Sequence, residues 1–374
     1  MVEINKSNSH QIEDLTGMAM TVNGPVNGNE LGFTLMHEHM FLEFFRHQIP
    51  RYNTPATEIH LWNEKLTLAN LHYLREGKAI KDNLILVDEE VAINEVNYFK
   101  RHGGNTIVEL TNVGMGRDPM ALRRVSNATE LKIIMGSGWY EKRYYPDNMD
   151  QLTVEYMTDE IIRDLTIGVN GTGIRSGIIG EVGINGNPIT INEEKSIIAS
   201  GRASVATGAA ISFHHGGTGK ERFGVATMLK EEGVDLTRVI YGHSNSYCGD
   251  VPFLLELLDL GVYVQFDTLG RVGAPVARKA PIPGPIVAGM HQVATDVLVA
   301  EAIPQLIQAG FEDRILLSQD VCKKDCLKSY GGMGYSFLQE KFLPYLVNQG
   351  VTQEQINKMM VYNPRRVLTF VSPR

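Results

Sequence analysis

The segment Leu35-Met36-His37-Glu38-His39 ends a short apolar run, 33–38, with two histidines that are separated by one residue. The chain repeats this arrangement: an apolar, β-branched run is followed by a turn rich in glycine, asparagine and aspartate, and then by a segment of helical periodicity. The other predicted strands are 105–110, 132–137, 176–182, 209–214, 238–243, 261–267 and 314–320. Eight strands that alternate with helices predict an α/β fold of the (β/α)8 TIM barrel type.

Helical periodicity is clear at 87–101, 118–129, 192–206, 221–233 and 294–310. A doubly wound sheet is the alternative fold, but it rarely needs eight regular units. No Gly-x-Gly-x-x-Gly follows the first predicted strand, which also disfavours that alternative. Because no low-complexity tract or Pro/Gly-rich linker divides the chain, we expect residues 1–374 to form a single domain.

Two stretches lie outside this repeat. Residues 19–32 contain alternating side chains and two Asn-Gly pairs, which predict an N-terminal β-hairpin that closes the barrel floor. Residues from about 41 to 89 form a long insertion after the first strand. We expect this insertion to cover the active site, since long loops at that end of a barrel usually do.

Composition narrows the classes of partner. The net charge of −8 argues against nucleic acid, which needs a basic surface. No apolar run is long enough to cross a bilayer, and the first ten residues lack the apolar core of a signal peptide. The three cysteines, Cys248, Cys322 and Cys326, are too few for a disulfide framework. We therefore expect a cytoplasmic protein that acts on a small molecule, with no membrane partner.

Residue types that bind metals follow six of the predicted strands, at the barrel end where active sites lie. They are His37 and His39, Glu181, His214 and His215, His243, Asp267, and Asp320. Alternate residues of a strand face opposite sides, so His214, Asp267 and Asp320 are predicted to point toward the barrel axis. His37 and His39 share one parity, as the two arms of one clamp must, and His215 is predicted to lie behind the ligands.

Imidazole and carboxylate ligands predict two divalent metal ions, most often Zn²⁺, with Mn²⁺, Co²⁺, Fe²⁺ or Ni²⁺ as alternatives. The predicted ligands are, for one ion, His37, His39 and Asp320; for the other, His214 and His243; and, as a bridge between the two ions, Glu181. A hydroxide between the ions becomes a nucleophile at neutral pH because two cations lower its pKa. Asp320 is the predicted catalytic residue, which takes the hydroxide proton and passes it to the leaving group.

Several longer segments carry a resemblance to a known family. They are Thr21-Val-Asn-Gly-Pro-Val26, Leu31-Gly-Phe-Thr-Leu-Met-His-Glu-His39, Gly177-Ile-Ile-Gly-Glu-Val-Gly183, Val239-Ile-Tyr-Gly-His-Ser244 and Asp313-Arg-Ile-Leu-Leu-Ser-Gln-Asp320. With these segments the chain resembles the phosphotriesterase family of the amidohydrolase superfamily, most closely its phosphotriesterase-related branch. The resemblance implies a metal-dependent hydrolase, and the family precedent implies a homodimer.

The resemblance has one departure and leaves the substrate open. The founding phosphotriesterases bridge their metals with a lysine made acidic by carbon dioxide, whereas this chain has Glu181 in that place. The family includes phosphotriesterases, lactonases and hydrolases of N-acyl amino compounds such as N-acetyltaurine. We predict hydrolysis of a carboxylic ester, lactone or amide, with cleavage of organophosphate triesters as a weak side activity at most.

The predicted substrate contacts are Trp139, Tyr140, Asp267, Arg271 and Tyr335. An amidohydrolase specific for N-acyl amino acids or N-acetyltaurine is the alternative within the same chemistry. A catalytically silent binding protein is an alternative outside it, but such a protein is expected to have lost metal ligands. A metal-free isomerase or aldolase needs a Schiff-base lysine inside a strand, and the predicted strands offer none.

Overall fold

The structure is a computed structural model that describes residues 13–45, 56–215, 218–271 and 296–374. Its strands, numbered along the chain, are β1 (Met18–Thr21), β2 (Gly24–Asn27), β3 (Thr34–Glu38), β4 (Leu42–Glu43), β5 (Ile85–Leu86), β6 (Thr106–Glu109), β7 (Lys132–Ser137), β8 (Ile178–Ile184), β9 (Ile211–His215), β10 (Val239–Tyr241), β11 (Tyr263–Phe266) and β12 (Ile315–Leu317). Eight of these strands form one parallel sheet in the order β3-β6-β7-β8-β9-β10-β11-β12. Parallel neighbours need a crossover connection between each pair, which helices supply.

The helices are α1 (Leu71–Arg75), α2 (Glu89–Arg101), α3 (Pro119–Thr129), α4 (Val154–Thr166), α5 (Ile191–Thr207), α6 (Glu221–Glu231), α7 (Val251–Asp259), α8 (Asp296–Gln308), α9 (Leu343–Asn348), α10 (Gln353–Asn357) and α11 (Asn363–Leu368). The side chains of Asp88, Asp118, Thr153 and Thr190 cap α2, α3, α4 and α5 by accepting a backbone N–H of the first turn. Helices α2 to α8 each lie between consecutive strands of the sheet, which is the alternation predicted from the sequence.

The two ends of the sheet meet, which nearly closes it into a barrel. The backbone N–H of Asp320 donates to the carbonyl of His37 at 3.0 Å, and that of His39 donates to the carbonyl of Val321 at 3.1 Å. These bonds join the chain after β12 to β3. The predicted (β/α)8 barrel is therefore confirmed.

Apolar side chains fill the barrel axis. They are Met36, Val108, Leu110, Ile134, Ile178, Ala210, Ile240, Tyr263 and Leu316. Ala19 of the antiparallel β1–β2 hairpin packs into the same cluster, so the predicted hairpin does close the floor. Ile211, Phe213, Ile315 and Leu317 pack instead in the larger cluster that includes the helices. The sides that the alternation predicted for β9 and β12 are confirmed.

A β-bulge sets the direction of the two histidines at the end of β3. Between Leu35 and Glu38, β3 has one residue more than the paired part of β6. Leu35 faces the helices and Met36 faces the axis, so uninterrupted alternation would turn His37 and His39 toward the helices. The extra residue reverses this, since a bulge places two residues opposite one. The shared parity of the histidines is therefore retained, but the bulge is what directs them inward.

The insertion after β3 contains the short antiparallel β4–β5 pair and α1. Its residue Phe44 stacks on Tyr144, with ring centroids 5.3 Å apart, and lies 6.1 Å from the ring of Tyr140. The Tyr144 hydroxyl donates to the carbonyl of Phe44 at 3.0 Å. The insertion thus reaches aromatic residues that follow β7. Residues 46–55 of it lie outside the described residues, and its role as a cover stays a prediction.

Replacing Glu38 with alanine is expected to lower the free energy of unfolding by about 3 kcal/mol, because three buried donors would lose their acceptor. The Glu38 carboxylate accepts from the Ser318 hydroxyl at 2.7 Å and from the backbone N–H groups of Gln319 at 2.9 Å and Val321 at 2.8 Å. Urea unfolding of chelator-treated protein measures this loss without a contribution from metal. The same change at the exposed Glu30 should cost under about 1 kcal/mol. If the two variants lost the same free energy of unfolding, Glu38 would not be the residue that joins β3 to the chain after β12.

Candidate metal centre

The structure brings all six predicted ligands together at the carboxyl ends of the strands. They are His37 and His39 after the β3 bulge, Glu181 of β8, His214 of β9, His243 after β10 and Asp320 after β12. Each of the six is buried, with at most 8% of its surface exposed. The candidate ligand atoms form two groups, first His37–His39–Asp320 and second His37–Glu181–His243, and the atoms of each group lie within 4.8 Å of one another.

The first group surrounds one oxygen of Asp320. Its Oδ1 lies 3.4 Å from Nε2 of His39 and 3.9 Å from Nε2 of His37. Its other oxygen, Oδ2, accepts a hydrogen bond from Arg271 at 2.5 Å, and the same guanidinium nitrogen donates to the Asp320 carbonyl at 2.6 Å. Burial opposes ionisation of Asp320, but the charge of Arg271, the hydrogen bond with His39 and the charges of His37 and His243 together hold the pKa of the carboxyl well below its ordinary value. Asp320 is therefore a carboxylate with Oδ1 directed toward the histidines.

The second group surrounds Glu181. Its Oε1 lies 2.8 Å from Nδ1 of His214, 3.1 Å from Nε2 of His243 and 3.3 Å from Nε2 of His37. Its Oε2 is 3.9 Å from Nε2 of His39. One carboxylate thus contacts nitrogens of both groups, as a bridging ligand must.

The charges of this cluster are balanced by protons in the absence of a metal. Burial opposes the charged form of His243, but Asp267 and Glu181 outweigh it and raise the pKa of the imidazole to about 10. Burial also opposes the charge of His37, and Glu181 and Asp267 hold its pKa well above the ordinary value. Burial opposes ionisation of Glu181, yet the His37 and His214 charges bring its pKa well below the ordinary value. Metal ions can replace these protons, since neutral imidazole and ionised carboxylate are the ligand forms.

A further observation, on His37, indicates that these ligand atoms suit divalent cations. Nε2 of His37 is buried and has no hydrogen-bond partner among the described residues. A buried polar atom without a partner is costly, and this atom faces both Glu181 and Asp320. Nitrogen and oxygen donors of this mixture suit zinc and its first-row neighbours.

Asp267 lies beneath the ligands and joins both groups. Its Oδ1 is 2.8 Å from Nδ1 of His243, and its Oδ2 is 3.2 Å from Nδ1 of His37. The side chain of Gln265 donates to the same Oδ2 at 2.8 Å. Asp267 is completely buried, so in this structure its partners are the two histidines and Gln265. A carboxylate that orients an imidazole in this way is a common partner of a metal ligand.

A similar support, which was not predicted from the sequence, lies beneath His39. Nδ1 of His39 lies 2.9 Å from the Thr111 hydroxyl, which in turn donates to Glu109 at 2.7 Å. Both residues are completely buried. Glu109 ends β6, so a survey of acidic residues at every predicted strand end would have found it.

The other predicted contact residues lie around the ligands. The Tyr140 hydroxyl is 3.3 Å from both ring nitrogens of His214, and Trp139 is buried beside it. The Tyr335 hydroxyl donates to the carbonyl of His39 at 2.8 Å. Tyr335 is only 1% exposed, so in this structure it supports the backbone of a ligand. Contact of these residues with a substrate stays a prediction.

His243 and Asp320 share an unusual backbone conformation. Their φ angles are 51° and 48°, in the left-handed region that side chains other than glycine rarely adopt. This conformation costs roughly 1–2 kcal/mol per residue. The conformation persists at both residues because hydrogen bonds fix their backbone. The His243 N–H donates to Oδ2 of Asp267 at 3.0 Å, and Arg271 donates to the carbonyl of Asp320. Backbone strain is therefore stored at two of the six candidate ligands.

Known proteins are similar to this chain over almost its whole length. The model of the phosphotriesterase family matches residues 17–368. The N-acetyltaurine hydrolase of Dictyostelium discoideum is 36% identical, over 95% of this chain and 98% of that protein. The human N-acetyltaurine hydrolase is 31% identical, over 96% of this chain and 100% of that protein.

Among solved structures, a resiniferatoxin-binding protein from Rhodobacter sphaeroides superimposes with a TM-score of 0.87 and 34% identity, covering 96% of this chain and 98% of that one. No helix of the described residues is long and apolar enough to cross a membrane. The match to the family model spans almost the whole barrel, and the two hydrolases are aligned over nearly their full lengths. The chain belongs to the phosphotriesterase family.

Proposed function

We propose that this protein is a hydrolase with two divalent metal ions. His37, His39 and Asp320 would hold one ion, His214 and His243 the other, and Glu181 would bridge them. The single observation that carries the proposal is the Glu181 carboxylate, which contacts nitrogens of both ligand groups. When bound, the two cations supply a water molecule of lowered pKa and polarise the bond to be cleaved. Zinc is the expected metal, with manganese, cobalt, iron or nickel as alternatives.

The chain's own residues would hold and move the proton. Oδ1 of Asp320 faces His37 and His39 and would accept the proton of the attacking water. Arg271 keeps this carboxylate ionised and its other oxygen occupied, so the proton goes to Oδ1. The Tyr140 hydroxyl lies beside His214 and would donate to the substrate oxygen. Burial of all six candidate ligands limits the access of bulk water to these steps.

An N-acylated amino compound is the substrate class that we propose. The relatives named N-acetyltaurine hydrolase are similar to this chain over nearly their full lengths, which favours an amide over a lactone or an ester. N-acetyltaurine and N-acetyl amino acids carry an acidic group as well as the amide, and they are the members of this class that we propose. We also propose that the protein forms a homodimer, as the family precedent implies, and light scattering can test this. We propose a cytoplasmic location as well.

Purified protein loaded with zinc or manganese is expected to hydrolyse N-acetyltaurine and N-acetyl amino acids faster than lactones or aryl phosphotriesters. Release of the free amine, opening of the lactone and release of the phenol measure the three activities on one preparation. Chelator-treated protein and the Asp320→Asn variant should both be at least about a hundredfold slower. If lactones were cleaved faster, the proposed substrate class would be lactones and not amides. If the protein bound metal but turned over none of these substrates, a catalytically silent binding protein would be favoured.

A further inference from the structure

Arg222 of α6 is a buried arginine whose hydrogen bonds go to uncharged groups. Its side chain is completely buried, and no carboxylate forms an ion pair with it within the described ranges of the chain. Burial lowers the pKa of its guanidinium, which shows how unfavourable the position is for a charge. A buried charge is expensive unless its environment compensates for it, so an arginine here calls for a specific reason.

The guanidinium of Arg222 contacts the residues on both sides of His243, the backbone of Gly242 and the side chain of Ser244. Nη2 donates to the carbonyl of Gly242 at 2.6 Å, and Nη1 donates to the hydroxyl of Ser244 at 2.9 Å. Ser244 in turn donates to the carbonyl of Tyr241 at 2.8 Å. The planar fork of arginine holds its donors in a fixed geometry, so two of them can be directed at two acceptors at once.

Two aromatic rings hold this guanidinium in place. It lies 5.3 Å from the ring centroid of Tyr241 and 4.9 Å from that of Tyr247, within the range of cation–π attraction. The hydroxyl of Tyr241 also donates to the carbonyl of Arg222 at 2.6 Å. Arg222 is therefore fixed from two sides, and its two donors are aimed at the turn that carries His243.

We propose that Arg222 is a positioning residue for His243 and hence for one of the two metal ions. The proposal rests on the metal centre described under the proposed function. His243 adopts the strained left-handed conformation, two residues after the end of β10 at Tyr241. Asp267 holds its ring and its backbone N–H, while Arg222 holds the residues before and after it. With both supports, Nε2 of His243 faces Glu181 at 3.1 Å.

Arg238 provides a matched control at the other end of β10. It is also buried, at 5% exposure, and burial lowers its pKa to about 10. Its guanidinium donates to the backbone carbonyls of Gly208, Arg366 and Thr369, which lie away from the candidate ligands. Replacement of either arginine by methionine removes a buried charge of the same kind. The two variants therefore differ in which part of the chain loses its hydrogen-bond donors.

The test compares zinc binding by native protein, Arg222→Met and Arg238→Met through competition with a chromophoric chelator. Native protein is expected to bind two ions per chain. Arg222→Met should bind one of them about 10- to 100-fold more weakly, the range seen when a partner of a metal ligand is lost. Arg238→Met should keep both affinities, although its thermal unfolding temperature falls. The absorption of cobalt-loaded protein gives a second readout that needs no activity.

Ser244→Ala keeps the buried charge and removes one acceptor, so it tests the proposal if Arg222→Met does not fold. It should weaken the same ion, by a smaller factor, while the other ion stays unchanged. Two unchanged affinities in Arg222→Met, or in Ser244→Ala when Arg222→Met does not fold, overturn the positioning role and leave the proposed hydrolase intact. Equal weakening in Arg238→Met also overturns it. A native protein that binds no metal overturns the proposed function itself, and the inference with it.

Discussion

Replacing Glu181 with alanine is expected to abolish the binding of both metal ions and to reduce kcat/KM by roughly a thousandfold or more. The physical reason is that Oε1 and Oε2 of this one side chain contact nitrogens of both ligand groups, so each ion would lose a charged ligand. Metal catalysis is worth several kcal/mol, and each 1.4 kcal/mol is about tenfold in rate. Metal content after gel filtration and turnover of an N-acetyl amino compound measure the two losses on one sample.

Bicarbonate distinguishes this bridge from a lysine bridge. A lysine-bridged centre needs carbon dioxide to assemble, whereas a glutamate is already anionic. We therefore expect that metal-free native protein takes up metal equally well with and without bicarbonate, and that bicarbonate does not rescue Glu181→Ala. Reconstitution that depends on bicarbonate would contradict the assignment.

Glu193→Ala is the control for the Glu181 change. Glu193 is also a buried glutamate, and it accepts hydrogen bonds from the backbone of Asn185, Gly186 and Thr190 at the start of α5. Its loss should lower stability and leave metal content unchanged. If both variants lost metal equally, the effect of Glu181→Ala would reflect general instability.

The barrel could be predicted from the sequence because its signals are local. Each apolar run buries a strand on both faces, and each polar turn ends it, so runs such as 132–137 coincide with the observed strand. The proximity of His214, His243 and Asp320 could also be predicted, because the carboxyl ends of parallel strands lie at one end of the barrel.

The rest depended on irregularities that no periodic pattern contains. The bulge between Leu35 and Glu38 reverses the sides of His37 and His39, and it is visible only once β3 is paired with β6. The support of His243 by Arg222 crosses from a helix to a turn, so no spacing in the sequence announces it. Local periodicity predicts which elements form, whereas these contacts arise only from packing between them.

Asp267 illustrates the same limit. Its position at a strand end and its inward direction were predicted, but a substrate contact was the expected role. In the structure its carboxylate lies between Nδ1 of His243 and Nδ1 of His37, one histidine from each proposed metal subsite. Burial opposes the charge of Asp267, but the charges of the two histidines bring its pKa well below the ordinary value. A single buried anion thus orients ligands of both ions.

Asp267→Asn is expected to weaken both ions together, by about 10- to 100-fold each. Asparagine has nearly the same shape, but it has no charge and only one acceptor oxygen, so one of the two imidazoles loses its acceptor. The ring of that histidine is then free to rotate, and the neutral side chain no longer strengthens the other as a ligand. Competition with a chromophoric chelator measures the two affinities, and kinetics at saturating zinc measure kcat and KM.

The split between affinity and KM decides which role Asp267 has. A substrate contact would raise KM in Asp267→Asn and leave both metal affinities unchanged, whereas an orienting role lowers the affinities and leaves KM unchanged once zinc is saturating. Asp164→Asn is the matched control, because Asp164 is also buried and accepts from Arg117 at 2.9 Å and Ser137 at 2.8 Å. That variant should lose stability but no metal. Weakening of one ion alone by Asp267→Asn would show that this carboxylate serves a single subsite, since a shared support must affect both.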